Sequence, residues 1–128
     1  MNWLFSLARG RLGGVLIRRA FAALSFALPV KRLRETKTLI AFPHPRPSYP
    51  FHILIVPKKA LGGLGDLGPA DAEFLQDLFA TVHSLVGEYG LDEAGYRLIA
   101  NGGKYQEVAQ LHFHLVAEKT AENRARCL

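Results

Sequence analysis

Cysteine is almost missing from this chain: one residue, Cys127, in 128. No disulfide can form within the chain, so the fold must rest on packing, and a reducing compartment suits it. The expected location is therefore cytoplasmic. No run of about 18 uncharged apolar residues occurs, which argues against a membrane-spanning helix. Acidic residues are missing from the first 34 positions, where Arg9, Arg11, Arg18, Arg19, Lys31, Arg32 and Arg34 lie. The formal net charge of +5 thus belongs to the N-terminal segment, and the rest of the chain is slightly acidic. That distribution removes the case for a basic nucleic-acid-binding domain, and no nucleic-acid partner is expected. Internal repeats and low-complexity tracts are absent as well.

What is present is one domain's worth of chain, long enough to bury a core. Residues 1–30 are apolar and studded with arginine. At a helical period, Leu16, Ala20, Phe21, Leu24, Ala27 and Leu28 share one side while Arg11 and Arg18 stand opposite. Gly10, Gly13 and Gly14 favour two helical pieces over one. An amphipathic helix packed on its own domain is the plainest reading, and a helix lying on a membrane surface through residues 1–28 is the alternative. The lack of a convincing cleavage site disfavours a secretory signal, although arginine without acid resembles a mitochondrial presequence.

Further along, "TKTLIAF" (36–42) reads as a strand. The four prolines of "PHPRPSYP" (43–50) exclude regular structure. "FHILIVP" (51–57) is a nearly continuous apolar strand expected to be buried on both faces. "KKALGGLGDLG" reads as a flexible connection. "PADAEFLQDLFATVHSLVGEY" (69–89) is the clearest helix: proline at its start, acid in its first turn, and a stripe of Phe74, Leu78, Val82, Leu85, Val86 and Tyr89, with Gly90 to end it. "YRLIAN" (96–101) is a strand, and "GGKYQEVAQ" is a turn into a last strand. The tail "KTAENRARCL" reads as frayed. This order predicts an α+β domain with a mostly antiparallel sheet and helices packed against it.

Five histidines occur. His83 falls off the apolar stripe of its helix and is expected at the surface. In "QLHFHLVAEK" (110–119), strand alternation puts Gln110, His112, His114 and Val116 on one face, expected to be polar, and Leu111, Phe113, Leu115 and Ala117 in the core. Three chemistries remain open for His112 and His114. They are half-exposed strand residues, or they chelate a metal as an i, i+2 pair, or one imidazole is a nucleophile toward phosphorus. The third works best when one ring nitrogen has its proton fixed by a carbonyl and the other aims its lone pair outward. A cupin-like metal strand would need a glycine where Gln106 stands, and an all-β barrel that the 69–89 helix contradicts.

The sequence resembles the histidine-triad (HIT) family, whose signature is His-φ-His-φ-His-φ-φ with φ apolar. Here the run is Gln110-Leu111-His112-Phe113-His114-Leu115-Val116, with glutamine at the first triad position. "FHILIVPKK" resembles the family's strand ending in "VIPKKH", with His52 at the place of the upstream histidine. "YRLIANGG" resembles the "YRxVxNxG" strand and turn, and Gln106 and Val108 match its "GQxVxH" lead-in. The likeness covers about residues 20–117. It implies a HIT-like fold: an antiparallel sheet of about five strands, with one long helix and an N-terminal helix packed against it. It also implies a basic amphipathic extension at 1–19, a HIT-like domain at 20–118 and a tail at 119–128.

The resemblance implies a nucleotide-binding hydrolase or nucleotidyl transferase acting through a covalent nucleotidyl-histidine. The substrates would be nucleoside phosphoramidates or dinucleoside polyphosphates with an AMP- or GMP-like nucleotide. His112 would be the nucleophile, His114 would polarise phosphate oxygens and His52 would support the site. Gln106 would contact phosphate, Asn101 would occupy the turn and Phe42 would line the base pocket. The carbonyl of Gln110 would take the nucleophile's second nitrogen. Two departures stand out. Gln110 cannot titrate as a histidine does, and His44 stands where many members place an acid that holds the ribose hydroxyls. They keep open a catalytically weak nucleotide-binding or scaffold protein, with membrane association through the N-terminal helix as part of that alternative. The zinc-binding cysteines of some members are lacking, so no metal and no cofactor are expected. A homodimer that extends the sheet is expected by the same likeness.

Overall fold

A computed structural model of the chain describes residues 31–121. The extension at 1–19, the helical reading of 1–28 and residues 122–128 of the tail lie outside those residues. The described chain forms one five-stranded antiparallel sheet: β1 (Arg34–Glu35), β2 (Leu39–Pro43), β3 (Phe51–Pro57), β4 (Arg97–Ile99) and β5 (Phe113–Ala117). The spatial order is β1-β2-β3-β5-β4, so β3 and β5 are central. One long helix, α1 (Ala72–Tyr89), and a single turn, α2 (Leu91–Ala94), join β3 to β4. The α+β class, the five-strand sheet and the one long helix are as expected.

Alternation sorts the strands onto two faces. Leu39, Ala41, Phe51, Ile53, Ile55, Phe113, Leu115 and Ala117 form one cluster with Phe74, Leu78, Val82, Leu85 and Val86 of α1. These helix positions recur at three and four residues, the spacing that brings one helix face onto a sheet. Helix α1 begins after a 3-10 turn at Pro69–Asp71, and Asp71 ties that turn together by accepting the Gly68 N–H and the Lys59 ammonium, at 2.9 and 2.8 Å. Gly90 ends the helix in the left-handed conformation that lacks a Cβ penalty, with φ 63°.

The opposite face holds Ile40, Phe42 and Val56, each buried, with Leu54 packed on them. Register places the histidines on this same face: Phe42 lies opposite Leu54, Leu54 opposite His114, and His52 opposite Val116. The expectation that this face is polar is corrected here. Val116 is 2% exposed and Phe42 4% exposed, so the imidazoles sit in a largely apolar floor.

Several boundaries also differ. Strand β2 starts at Leu39, because Thr36 and Thr38 form the turn from β1, with both hydroxyls donating to the Asp77 carboxylate. The stretch 58–68 is an ordered loop: the Gly62 and Gly63 N–H groups donate to Asp66, and Leu61 is buried. The start of the tail is packed as well, since Thr120 is buried.

Candidate active site

The prolines of the β2–β3 loop determine much of the site. Proline has no N–H, so between Pro43 and Pro50 only His44, Arg46, Ser48 and Tyr49 carry one. Three of those four donate to the histidine cluster. The His44 N–H donates to the His52 carbonyl at 2.9 Å, which prolongs the hairpin by one rung. The Arg46 N–H donates to His44 Nδ1 at 2.9 Å, and the Ser48 N–H to His52 Nδ1 at 3.0 Å.

These bonds assign the protons. A ring nitrogen that accepts an N–H must carry a lone pair, so in a neutral imidazole the proton sits on the other nitrogen. His52 therefore bears its proton on Nε2, and that N–H donates to His114 Nδ1 at 2.8 Å. His114 in turn carries its proton on Nε2. His112 has the reverse arrangement. Its Nδ1–H donates to the Gln110 carbonyl at 2.7 Å, which leaves the lone pair on Nε2. The His112 and His114 rings meet edge to face with centroids 4.9 Å apart. His112, just before β5, and His114, within it, thus present a free lone pair and an N–H donor side by side.

Burial favours the neutral form of His114, His52 and His44. It pushes the His114 pKa down to about 4, and the neighbouring His112, His52 and His44 add to the effect. The pKa values of His52 and His44 are also lowered, first by burial and then by His44 and His112 respectively. Charging any of these rings would cost desolvation with no carboxylate to offset it.

Could the cluster hold a metal? One ring nitrogen from each of His44, His52 and His114 lies within 4.8 Å of the other two. A ligating imidazole must offer a lone pair to the metal and keep its proton on the remaining nitrogen. Here the Nδ1 atoms of His44 and His52 already accept main-chain N–H groups. For Nε2 to ligate, each proton would have to move to Nδ1, which breaks the main-chain hydrogen bond there. As hydrogen-bonded, the set presents N–H donors in place of free lone pairs.

The remaining expected residues divide. Phe42 is buried on the histidine face, two strands from His114. Asn101 is half-buried just beyond β4. Gln106 gives its amide to the carbonyls of Gly62 and Val108 at 2.6 and 3.0 Å, pinning one loop to the other. Gln110 departs from the polar face expected for it: it is 1% exposed, its amide donates to the Lys59 carbonyl at 3.2 Å, and its Oε1 has no partner. His83 is exposed, as expected. Sequence reasoning missed Ser48 and Arg46, which act through main-chain N–H groups; the alternating prolines are the signal that could have found them. A cleft of about 260 Å³ lined by Tyr49, Tyr96, Arg97 and Val116 adjoins His52 but does not reach His112.

A sheet that carries a long helix on one face and four imidazoles on the other, two of them from a His-x-His strand, defines a histidine-cluster α+β protein. The HIT domain family model matches residues 26–121, and the chain belongs to that family. It is 33% identical over 95 residues to an uncharacterised HIT-like protein of Rickettsia prowazekii, covering 72% of this chain and 79% of that one. Among solved structures it is similar to a HIT family hydrolase from Legionella pneumophila, with TM-score 0.69 and 33% identity over 78% of this chain and 89% of that one. It is also similar to a histidine triad nucleotide-binding protein from Candida albicans, with TM-score 0.65 and 28% identity over 78% and 76% of the two chains.

Proposed function

We propose that this chain is a nucleotide hydrolase or nucleotidyl transferase that forms a covalent nucleotidyl-His112 intermediate. The observation that carries the reading is the 2.7 Å bond from His112 Nδ1 to the Gln110 carbonyl, because it holds the proton of the neutral ring on Nδ1 and leaves the Nε2 lone pair free. The hydrolase and nucleotide-binding relatives support it. In the family motif Gln110 takes the place of the first triad histidine. The main-chain carbonyl is the working group at that position, so the side-chain change leaves the bond intact.

The chemistry runs as two in-line displacements. The Nε2 lone pair of His112 attacks the α-phosphorus of a nucleoside phosphoramidate or dinucleoside polyphosphate. The N–P bond forms, the bond to the leaving group breaks, and the leaving group keeps the electron pair and takes a proton from water. Water then attacks the same phosphorus and gives its proton to the hydroxide left by the first step; the N–P bond breaks, its pair returns to Nε2, and nucleoside monophosphate departs. Positioning and charge stabilisation supply most of the rate. His114 Nε2–H meets the charge on the phosphoryl oxygens, and His52 holds His114 in the tautomer that makes this contact. Phe42 lines the base side, Asn101 and Gln106 shape the phosphate-facing loop, and His44 closes the far end.

Hydrolysis of adenosine 5′-phosphoramidate tests the reading, with calorimetry of AMP alongside. Turnover should be lost by about three orders of magnitude in His112→Ala. AMP binding with no turnover by the unaltered chain would support the scaffold reading, which the Gln110 and His44 departures favour. Undiminished turnover by His112→Ala would end the proposal.

Two partners belong to the same proposal. Strand β4 pairs only with β5 among the described residues, so its outer edge can take a second copy and extend the sheet. Light scattering should then return twice the 14.2 kDa chain mass. No helix among the described residues is long and apolar enough to cross a membrane. Peripheral contact through residues 1–28 is checked by liposome flotation with and without residues 1–19.

A further inference from the structure

Among the described residues, two N–H groups of the cluster have no protein partner. His52 uses both ring nitrogens, one on the Ser48 N–H and the other on His114. His114 keeps Nε2–H for the phosphoryl group in the reading above. The second unspent donor is His44 Nε2–H, because the Arg46 N–H occupies His44 Nδ1. The His44 ring packs 4.4 Å from His52 and lies nearly parallel to His114 at 6.0 Å, with 23° between the planes. It is half-buried, and the groups that bear on its ionisation are burial and an imidazole, with no carboxylate.

We infer that His44 is a specificity-determining residue whose Nε2–H seats a second phosphoryl group, so that the site prefers a nucleotide with two phosphoryl groups over a nucleoside monophosphate. The inference rests on the proposed function and deepens it. A neutral N–H bonds an anionic oxygen about twice as strongly as a neutral one. With its lone pair already occupied, His44 offers no acceptor to a ligand hydroxyl hydrogen. A half-buried N–H without a charged neighbour gains most from an acceptor that brings its own charge. The 6.0 Å between the His44 and His114 ring centres is short enough for both to contact one molecule.

Two sources fit this chemistry: a phosphoryl group in line with the first, or one on the sugar. Titration calorimetry with AMP, the α,β-methylene analogue of ADP and adenosine 3′,5′-bisphosphate separates them. At least one of the two-phosphoryl ligands should bind about tenfold more tightly than AMP, and the tighter one identifies the source. His44→Ala should bring that ratio to within about twofold, and His44→Asp should invert it by like-charge repulsion. His44→Asn keeps a donor amide and should retain part of the preference, which separates lost recognition from lost folding. Equal affinity for all three ligands, or a preference that survives in His44→Ala, overturns the inference. Labelling of His112 by an α-phosphorus-labelled substrate with no two-phosphoryl preference overturns this inference alone. The absence of both labelling and AMP binding overturns the functional reading as well.

Discussion

At the scale of the residue, the site depends on which ring nitrogen holds each proton. Main-chain groups make that choice for three of the four imidazoles: the Gln110 carbonyl for His112, the Ser48 N–H for His52 and the Arg46 N–H for His44. His114 follows from His52. Replacing His52 with Phe removes the donor that fixes His114, and kcat should fall by on the order of 100-fold with KM changed much less. Gln110→Ala strips the buried Lys59 carbonyl of its donor and loosens the carbonyl that orients His112. Stability should drop by about 1–3 kcal/mol in urea titrations, and kcat should fall more than KM rises. The His-x-His spacing was legible in the sequence, and alternation gave the face of His114 within β5. The direction of Gln110 was not, because alternation holds only within a paired strand and Gln110 precedes β5. Its side chain turns instead toward the end of β3, where a carbonyl lacked a partner.

At the scale of the element, periodicity located whatever is long. Helix α1 and strand β3 lie where the apolar pattern put them, with the first helical turn tightened to 3-10 geometry. Strand β1 has two residues and no period to detect; it exists because Arg34 and Glu35 pair with Ala41 and Ile40. Two glycines, one within α1 and one at its end, make opposite predictions. Gly90 has φ +63°, and a Cβ there would stand 2.6 Å from the Ala121 Cβ. Gly90→Ala should therefore cost about 1–2 kcal/mol or more. Gly87 lies inside the helix with open space where a methyl group would stand, so Gly87→Ala should stabilise by about 0.5–1 kcal/mol. Urea midpoints of the two variants check both signs; a stabilised Gly90→Ala would contradict the left-handed cap.

At the scale of the whole molecule, burying neutral imidazoles links folding to pH. An unfolded histidine titrates near 6.5, whereas folded His114 does so at about 4 and His52 and His44 are also lowered. The unfolded chain thus takes up protons first as the pH drops. This contribution to stability is present in full above pH 6.5, shrinks below it, and for His114 is gone by about pH 4. Thermal unfolding at pH 7.5, 5.5 and 4.5 should show the decline, and His114→Gln should flatten it; an unchanged slope in that variant would disprove the assignment. Both sheet faces are spoken for, one by α1 and one by a histidine cluster on an apolar floor. That second use of the sheet could not be read from composition, because the apolar residues beneath the histidines look like any other core. The proposed chemistry turns on bond formation at a single atom. Base-quenched peptide mass spectrometry after brief incubation with adenosine 5′-phosphoramidate should find the adenylyl group on His112 Nε2 in the unaltered chain and on no residue of His112→Ala. An adduct on His114 or His52 instead, or turnover with no adduct on any histidine, would contradict it.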